Sequence, residues 1–143
     1  MIRPLAAEEI PAIATALAGM EPWRTLGFGA GGLAAYLGRA DGGLRVVLDR
    51  GGVAGVMVLR QPWLRGPSIE LLAVLPAAQG GGVGRALVDW AAGQGGANLW
   101  ACVSSFNASA RAFYARLGFV EVAPLPDLVA NGFDEILLRK RLR

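Results

Sequence analysis

Histidine is absent from the 143-residue chain, and cysteine occurs once, as Cys102. Without histidine no Ser-His-Asp scheme is possible, and the commonest general base and zinc ligand is missing. A lone cysteine excludes an internal disulfide and fits a reducing compartment. Charge is sparse too, at 17% of residues. Yet no stretch of 18 or more residues lacks charged or strongly polar breaks, so no membrane partner is expected. An acidic pair interrupts the opening "MIRPLAAEEIPAIATALAGM" and breaks any signal-peptide core. The expectation is a cytoplasmic protein with no metal.

Fourteen basic residues stand against eleven acidic ones, and all the basic ones except Lys140 are arginine. They are scattered from Arg3 to Arg116, with one cluster, "LRKRLR", at the end, which reads as a solvated tail after a last strand. A nucleic-acid binder would carry a denser stripe with interleaved aromatics, so no nucleic-acid partner is expected. A small anionic ligand needs only a few such charges.

The length fits one domain, 1–143, with a proper core. "MIRPL" reads as a short strand, and "AAEEIPAIATALAG" as a helix with Ile10, Ile13, Ala16 and Leu17 at helical spacing. "GAGGLAAYLGRA" is a weaker second helix. "GLRVVLDR" and "VAGVMVLR" are strands joined by Gly51-Gly52, a two-residue hairpin signal. "SIELLAVLP" is a further strand. After it "GVGRALVDWAAGQ" has a helical apolar face, and "NLWACV" is a strand. "NASARAFYARLG" is a helix, and "FVEVAPL" and "FDEILLRK" close the chain as strands. The order predicts an α+β (mixed α/β) chain, a mixed sheet with helices packed on it. Its central strand-helix-strand unit should be a parallel crossover.

"QGGGVGR", residues 79–85, links a strand to a helix start. The first turn of a helix has unpaired N–H groups and partial positive charge, and so can seat a phosphate. Lack of side chains at Gly80, Gly81, Gly82 and Gly84 would let the amides form a nest, with Arg85 adding full charge. Two rival motifs fail. The P-loop needs Gly-Lys-Ser/Thr where the chain has Gly84-Arg85-Ala86, and G-x-G-x-x-G meets Leu87 at its third place.

Gln79, Gly82 and Gly84 do fit Q-x-x-G-x-G, preceded by "LLAVLP" and followed by an apolar helix. Farther on, "NASARAFYARLGFVEV" places Asn107 before Phe113-Tyr114 and Leu117-Gly118-Phe119. On these two stretches the sequence resembles the GNAT superfamily of acetyl-CoA-dependent N-acetyltransferases. The resemblance implies a central mixed, mostly antiparallel sheet of about seven strands, with one parallel, splayed pair and about four helices. It implies that acetyl-CoA binds through Gln79, Gly80, Gly81, Gly82, Val83, Gly84 and Arg85, through the backbone of a bulged strand at Leu72, Ala73 and Val74, and through Asn107 and Tyr114. An amine acceptor would attack the thioester directly, with Tyr114 as general acid. A homodimer is left open.

Each role has a plain structural counterpart: core strand for Leu72 and Val74, helix N-cap for Asn107, helix packing for Tyr114. Some family members carry a glutamate five residues before the asparagine; here that position is Cys102, so this role does not carry over. With no histidine to activate it, Cys102 is not expected to act as a nucleophile. The remaining candidate base is Glu70, sharing strand parity with Leu72 and Val74 if no bulge intervenes; its counterpart is an ion pair with an arginine. Glu21, Trp23 and Trp63 are candidates for the acceptor pocket, the tryptophans by cation–π attraction. A non-catalytic acyl-CoA-binding module is the alternative function.

Overall fold

The computed structural model describes residues 1–143. Seven strands form one sheet: β1 Ile2–Pro4, β2 Leu44–Asp49, β3 Val53–Trp63, β4 Gly66–Val74, β5 Asn98–Ser104, β6 Val120–Pro126 and β7 Asp134–Arg141. Their order across the sheet is β1-β2-β3-β4-β5-β7-β6. All neighbours are antiparallel except β4 and β5. Five helices accompany them: α1 Ile10–Ala18, α2 Trp23–Leu26, α3 Ala30–Leu37, α4 Val83–Ala92 and α5 Ala108–Arg116. No helix is long and apolar enough to cross a membrane.

Alternating strand side chains build a core on each face of the sheet. On one face Ile69, Leu99, Ala101, Val103 and Leu138 pack against Val83, Leu87, Val88 and Ala91 of α4 and Tyr114 of α5. On the other, Val47, Val56, Val58, Leu71 and Ala73 pack against Ile13, Ala14 and Leu17 of α1 and Leu33 and Leu37 of α3. Those helical positions recur at three- and four-residue steps, so one stripe of each helix is buried. Each fully buried Leu or Val contributes about 1.5–3 kcal/mol of transfer free energy. Gly55 lets β3 approach α4: a Cβ there would lie 2.7 Å from Val83 Cγ1 and 2.9 Å from Leu87 Cδ1.

Two local expectations change, and two further elements appear. The Gly51-Gly52 turn is a three-residue loop, because β2 and β3 last pair at Asp49↔Val53, after an irregularity at Leu48/Asp49. "QPWLRGP" belongs to a hairpin: β3 continues to Trp63, which pairs with Gly66 across a turn holding Arg65 at φ 63. "LRKRLR" is no solvated tail, since Leu138–Arg141 lie within β7, between β5 and β6. There Leu138 is buried and Arg139 Nε donates to Asn98 Oδ1 at 2.7 Å. The short α2 escapes a periodicity reading because one turn of four residues shows no repeat.

Candidate active site

The parallel pair β4/β5 is in register at two positions only, Ser68↔Trp100 and Ile69↔Ala101. Just beyond, β4 carries one residue more than its other neighbour: Leu59 faces Ile69 and Val58 faces Leu71, leaving Glu70 as the extra residue. Such a bulge bends its strand and changes which face the next residues occupy. Residues 71–74 then pair with β3 on one edge and with no strand on the other. A cleft of about 1070 Å³ opens there, running from the α1–α3 face, past the β4/β5 gap, to the glycine loop.

The bulge overturns the expected parity of Glu70. Ile69, Leu72 and Val74 face the α4–α5 cluster, while Leu71 and Ala73 face the α1–α3 cluster. Glu70, at the bulge itself, ion-pairs with Arg60 of β3, which also holds Asp41 at 2.8 Å. Its charge acts on Tyr36 of α3, whose phenol is held above its usual range first by burial and then by Glu70.

At the other end of the cleft, Gly80 and Gly82 have φ values of 83 and 77, a region only glycine enters cheaply. Gly82 is the N-cap of α4 and offers no side-chain cap. The first helical bond runs from Ala86 N to Gly82 O at 3.0 Å, so the N–H groups of Val83, Gly84 and Arg85 precede the ladder. Arg85 is largely exposed, and its nearest carboxylate is Asp89 at 4.0 Å. Gly80, Gly82, Val83, Gly84 and Arg85 all border the cleft; Gly81 does not. The Gly81 carbonyl instead accepts from Arg50 Nη1 at 2.7 Å, a brace from the β2–β3 loop. Gly84 serves packing: a Cβ there would lie 3.0 Å from Phe113 and 3.4 Å from Val74 Cγ2. Gln79 reaches back with Nε2 3.4 Å from Val74 O.

The profile of the acetyltransferase (GNAT) domain matches residues 40–121, from before β2 into β6. The chain belongs to the GNAT acetyltransferase family. Acyl transfer is therefore its general chemistry. No curated protein sequence matches it significantly. Among solved structures, an IAA acetyltransferase from Bacillus cereus is similar, with 26% identity and a TM-score of 0.68 over 99% of this chain and 98% of that one. The ribosomal-protein-S18-alanine N-acetyltransferase of Escherichia coli has 24% identity and a TM-score of 0.73 over 99% and 93%. Ard1 from Thermoplasma volcanium has 22% and 0.75 over 99% and 96%. The last two are likenesses of fold alone.

In this GNAT chain Leu72, Ala73, Val74, Gln79, Asn107 and Tyr114 all border the cleft. Asn107 is also the N-cap of α5, its Oδ1 accepting from Ala110 N at 3.3 Å. Tyr114 is 6% exposed and packs edge-on against Phe113 and Phe119, each 5.1 Å between ring centroids. Burial raises its phenol well above the usual range, so it stays protonated and able to donate. Cys102 borders the cleft too, but burial and the nearby Glu135 raise its thiol, which suits an inert cysteine. No three His, Cys, Asp or Glu side chains form a metal-holding group.

The three expected acceptor residues part company. Trp23 and Glu21 line the cleft. Glu21 also closes α2 locally, accepting from Thr25 N at 3.0 Å and Thr25 Oγ1 at 2.6 Å. Trp63 lies elsewhere: it sits at the β3–β4 turn, edge-on to Trp100 at 5.2 Å. The hairpin extension of β3 carries it to the start of β4, away from the gap, so it does not line the cleft. Sequence reasoning missed Arg50, Tyr36, Arg116, Ser104 and Glu135. All but Arg50 line the cleft. Glu135 opens a strand beside Asp134 and reads as an exposed acid, so nothing local marked it.

Proposed function

We propose that the chain transfers an acetyl group from acetyl-CoA to a primary amine of a small molecule or peptide, by direct attack in a ternary complex. The observation that carries this is the β4/β5 gap, with an uncapped helix N-terminus at one end and a buried phenol beside it. Acetyl-CoA supplies an activated acyl group as a thioester. Gly80, Gly82 and the free N–H groups of residues 83–85, with Arg85, form a seat for its pyrophosphate. The unpaired edge of Leu72, Ala73 and Val74 offers backbone groups for the pantetheine amides and a fixed donor for the thioester oxygen. Asn107 borders the same space.

The amine nitrogen forms the new C–N bond as the C–S bond breaks. Its proton passes to Glu70, through water, and Tyr114 returns one to the departing sulfur. Glu70 is tied to Arg60, which favours a second reading, a non-catalytic acyl-CoA-binding module. A melting-temperature comparison of acetyl-CoA, ATP and NAD tests the shared core of both readings. Acetyl-CoA alone should stabilise the protein, and stabilisation by a nucleotide instead would overturn them.

A further inference from the structure

Glu135 is the one charged side chain in the buried set, at 6% exposure. Its place follows from register. Leu99, Ala101 and Val103 of β5 turn toward α4 and α5, so Cys102 and Ser104 face the α1–α3 side. Ser104 pairs with Glu135, while Ile136 and Leu138 of β7 join the α4–α5 cluster; Glu135 therefore shares the face of Ser104. It borders the cleft, opposite the strand that carries Glu70. Ser104 Oγ donates to Glu135 Oε2 at 2.6 Å.

The half-buried acids elsewhere have arginine partners, Glu9 and Asp49 with Arg3 and Asp41 with Arg45 and Arg60, and the exposed Glu70 pairs with Arg60. Glu135 has none. Burial raises its carboxyl and only the Ser104 hydroxyl opposes that shift. Burying an unpaired carboxylate is costly, so a counter-ion that arrives with a ligand gives the arrangement a purpose. A second orphan borders the same cleft. The Tyr36 hydroxyl is buried without a hydrogen-bond partner. Apolar lining in the same cleft comes from Met20, Trp23, Leu26, Phe28 and Val129.

Resting on the acetyl-transfer reading, we propose that Glu135 receives the acceptor as its ammonium form, and that the acceptor is a primary monoamine on an apolar body. The ammonium sheds one proton to water before the neutral amine attacks, and the second nitrogen proton is the one that passes to Glu70. A polyamine fits less well, because its further charges would meet the apolar lining and the guanidinium of Arg39, while the other acids of the cleft, Glu21 and Glu70, are already engaged by Arg24 and Thr25 and by Arg60.

The probes are phenethylamine, its neutral isostere 2-phenylethanol, and spermidine, titrated by calorimetry into protein saturated with coenzyme A. Wild type should prefer phenethylamine over the alcohol by about tenfold and bind it better than spermidine. Glu135→Gln should lose that preference while coenzyme A affinity and melting confirm an intact protein. Glu135→Asp should restore part of it, which a merely structural role would not do. No preference in wild type, a preference kept in Glu135→Gln, or tighter spermidine binding would overturn the anchor. If coenzyme A itself does not bind, the acetyl-transfer reading fails separately. The amine titrations are then run on protein alone, since Glu135 and Ser104 are set by the sheet, and they decide the anchor by the same three criteria.

Discussion

The two sides of the β4/β5 gap are built from different materials. The side toward α4 and α5 relies on backbone: an uncapped helix start, two left-handed glycines and an unpaired strand edge, with the buried phenol of Tyr114 beside them. The side toward α1 and α3 relies on side chains: Glu70, Glu135, Ser104 and Tyr36 drawn from three strands and a helix. In the proposed reading a backbone site serves what every acyl-CoA shares, whereas a side-chain site can be re-cut for each acceptor. That division gives variants on the two sides distinct signatures.

Gly82→Glu separates the two sides most sharply. Nothing lies within 4 Å of a Cβ there, so the carboxylate has room, and it places negative charge at the helix start. Coenzyme A affinity should fall about 100-fold in calorimetry, with melting lowered by roughly 4 °C from the left-handed φ. Retained affinity would remove the loop from the site. Tyr114→Phe should lower turnover about 100-fold and leave coenzyme A affinity within twofold. Unchanged turnover would return Tyr114 to packing alone. Glu70→Gln should cost turnover about tenfold, less than a direct base would, on the proposed relay of the proton through water with the Glu70 charge held by Arg60. Loss of folding in that variant would show that the ion pair is structural.

The smallest effect concerns stability. Burial holds the Glu135 carboxyl above its ordinary 4.5, so the folded state binds its proton more tightly than the unfolded chain does. The group therefore weakens the fold above that raised value and ceases to do so as pH falls below 4.5. Glu135→Gln should melt roughly 3 °C higher than wild type at pH 8, and the gap should close by about pH 4. A variant that melts lower at pH 8 would mean that the carboxylate is stabilised in the fold, against the unpaired-charge account.

The backbone side was largely legible in the sequence. Gln79, Gly82 and Gly84 lie close along the chain, as separately do Asn107 and Tyr114, and each short spacing is readable as a motif because its positions meet local demands. Even there the roles shift: Gly84 accommodates Phe113, and Asn107 caps α5 while bordering the cleft. The side-chain face was not legible. Ser104 and Glu135 meet through strand register 31 positions apart, which no local pattern displays. Glu70 stood out as a charge in an apolar strand, but the bulge that decides its direction depends on how β3 pairs with β4. Trp63 was misplaced for the same reason, since the length of β3 decides which end of the sheet it reaches.

In the proposed reaction one chain holds an acyl-CoA on the backbone side while an amine attacks from the other. The direct test is release of free thiol from acetyl-CoA in the presence and absence of phenethylamine, with the product's mass and acylated atom determined. Thiol release should depend on the amine and yield an N-acetylated product. Thiol release at the same rate without the amine, or none with it or with any of a panel of amino acids, peptides, polyamines and aminoglycosides, would contradict it.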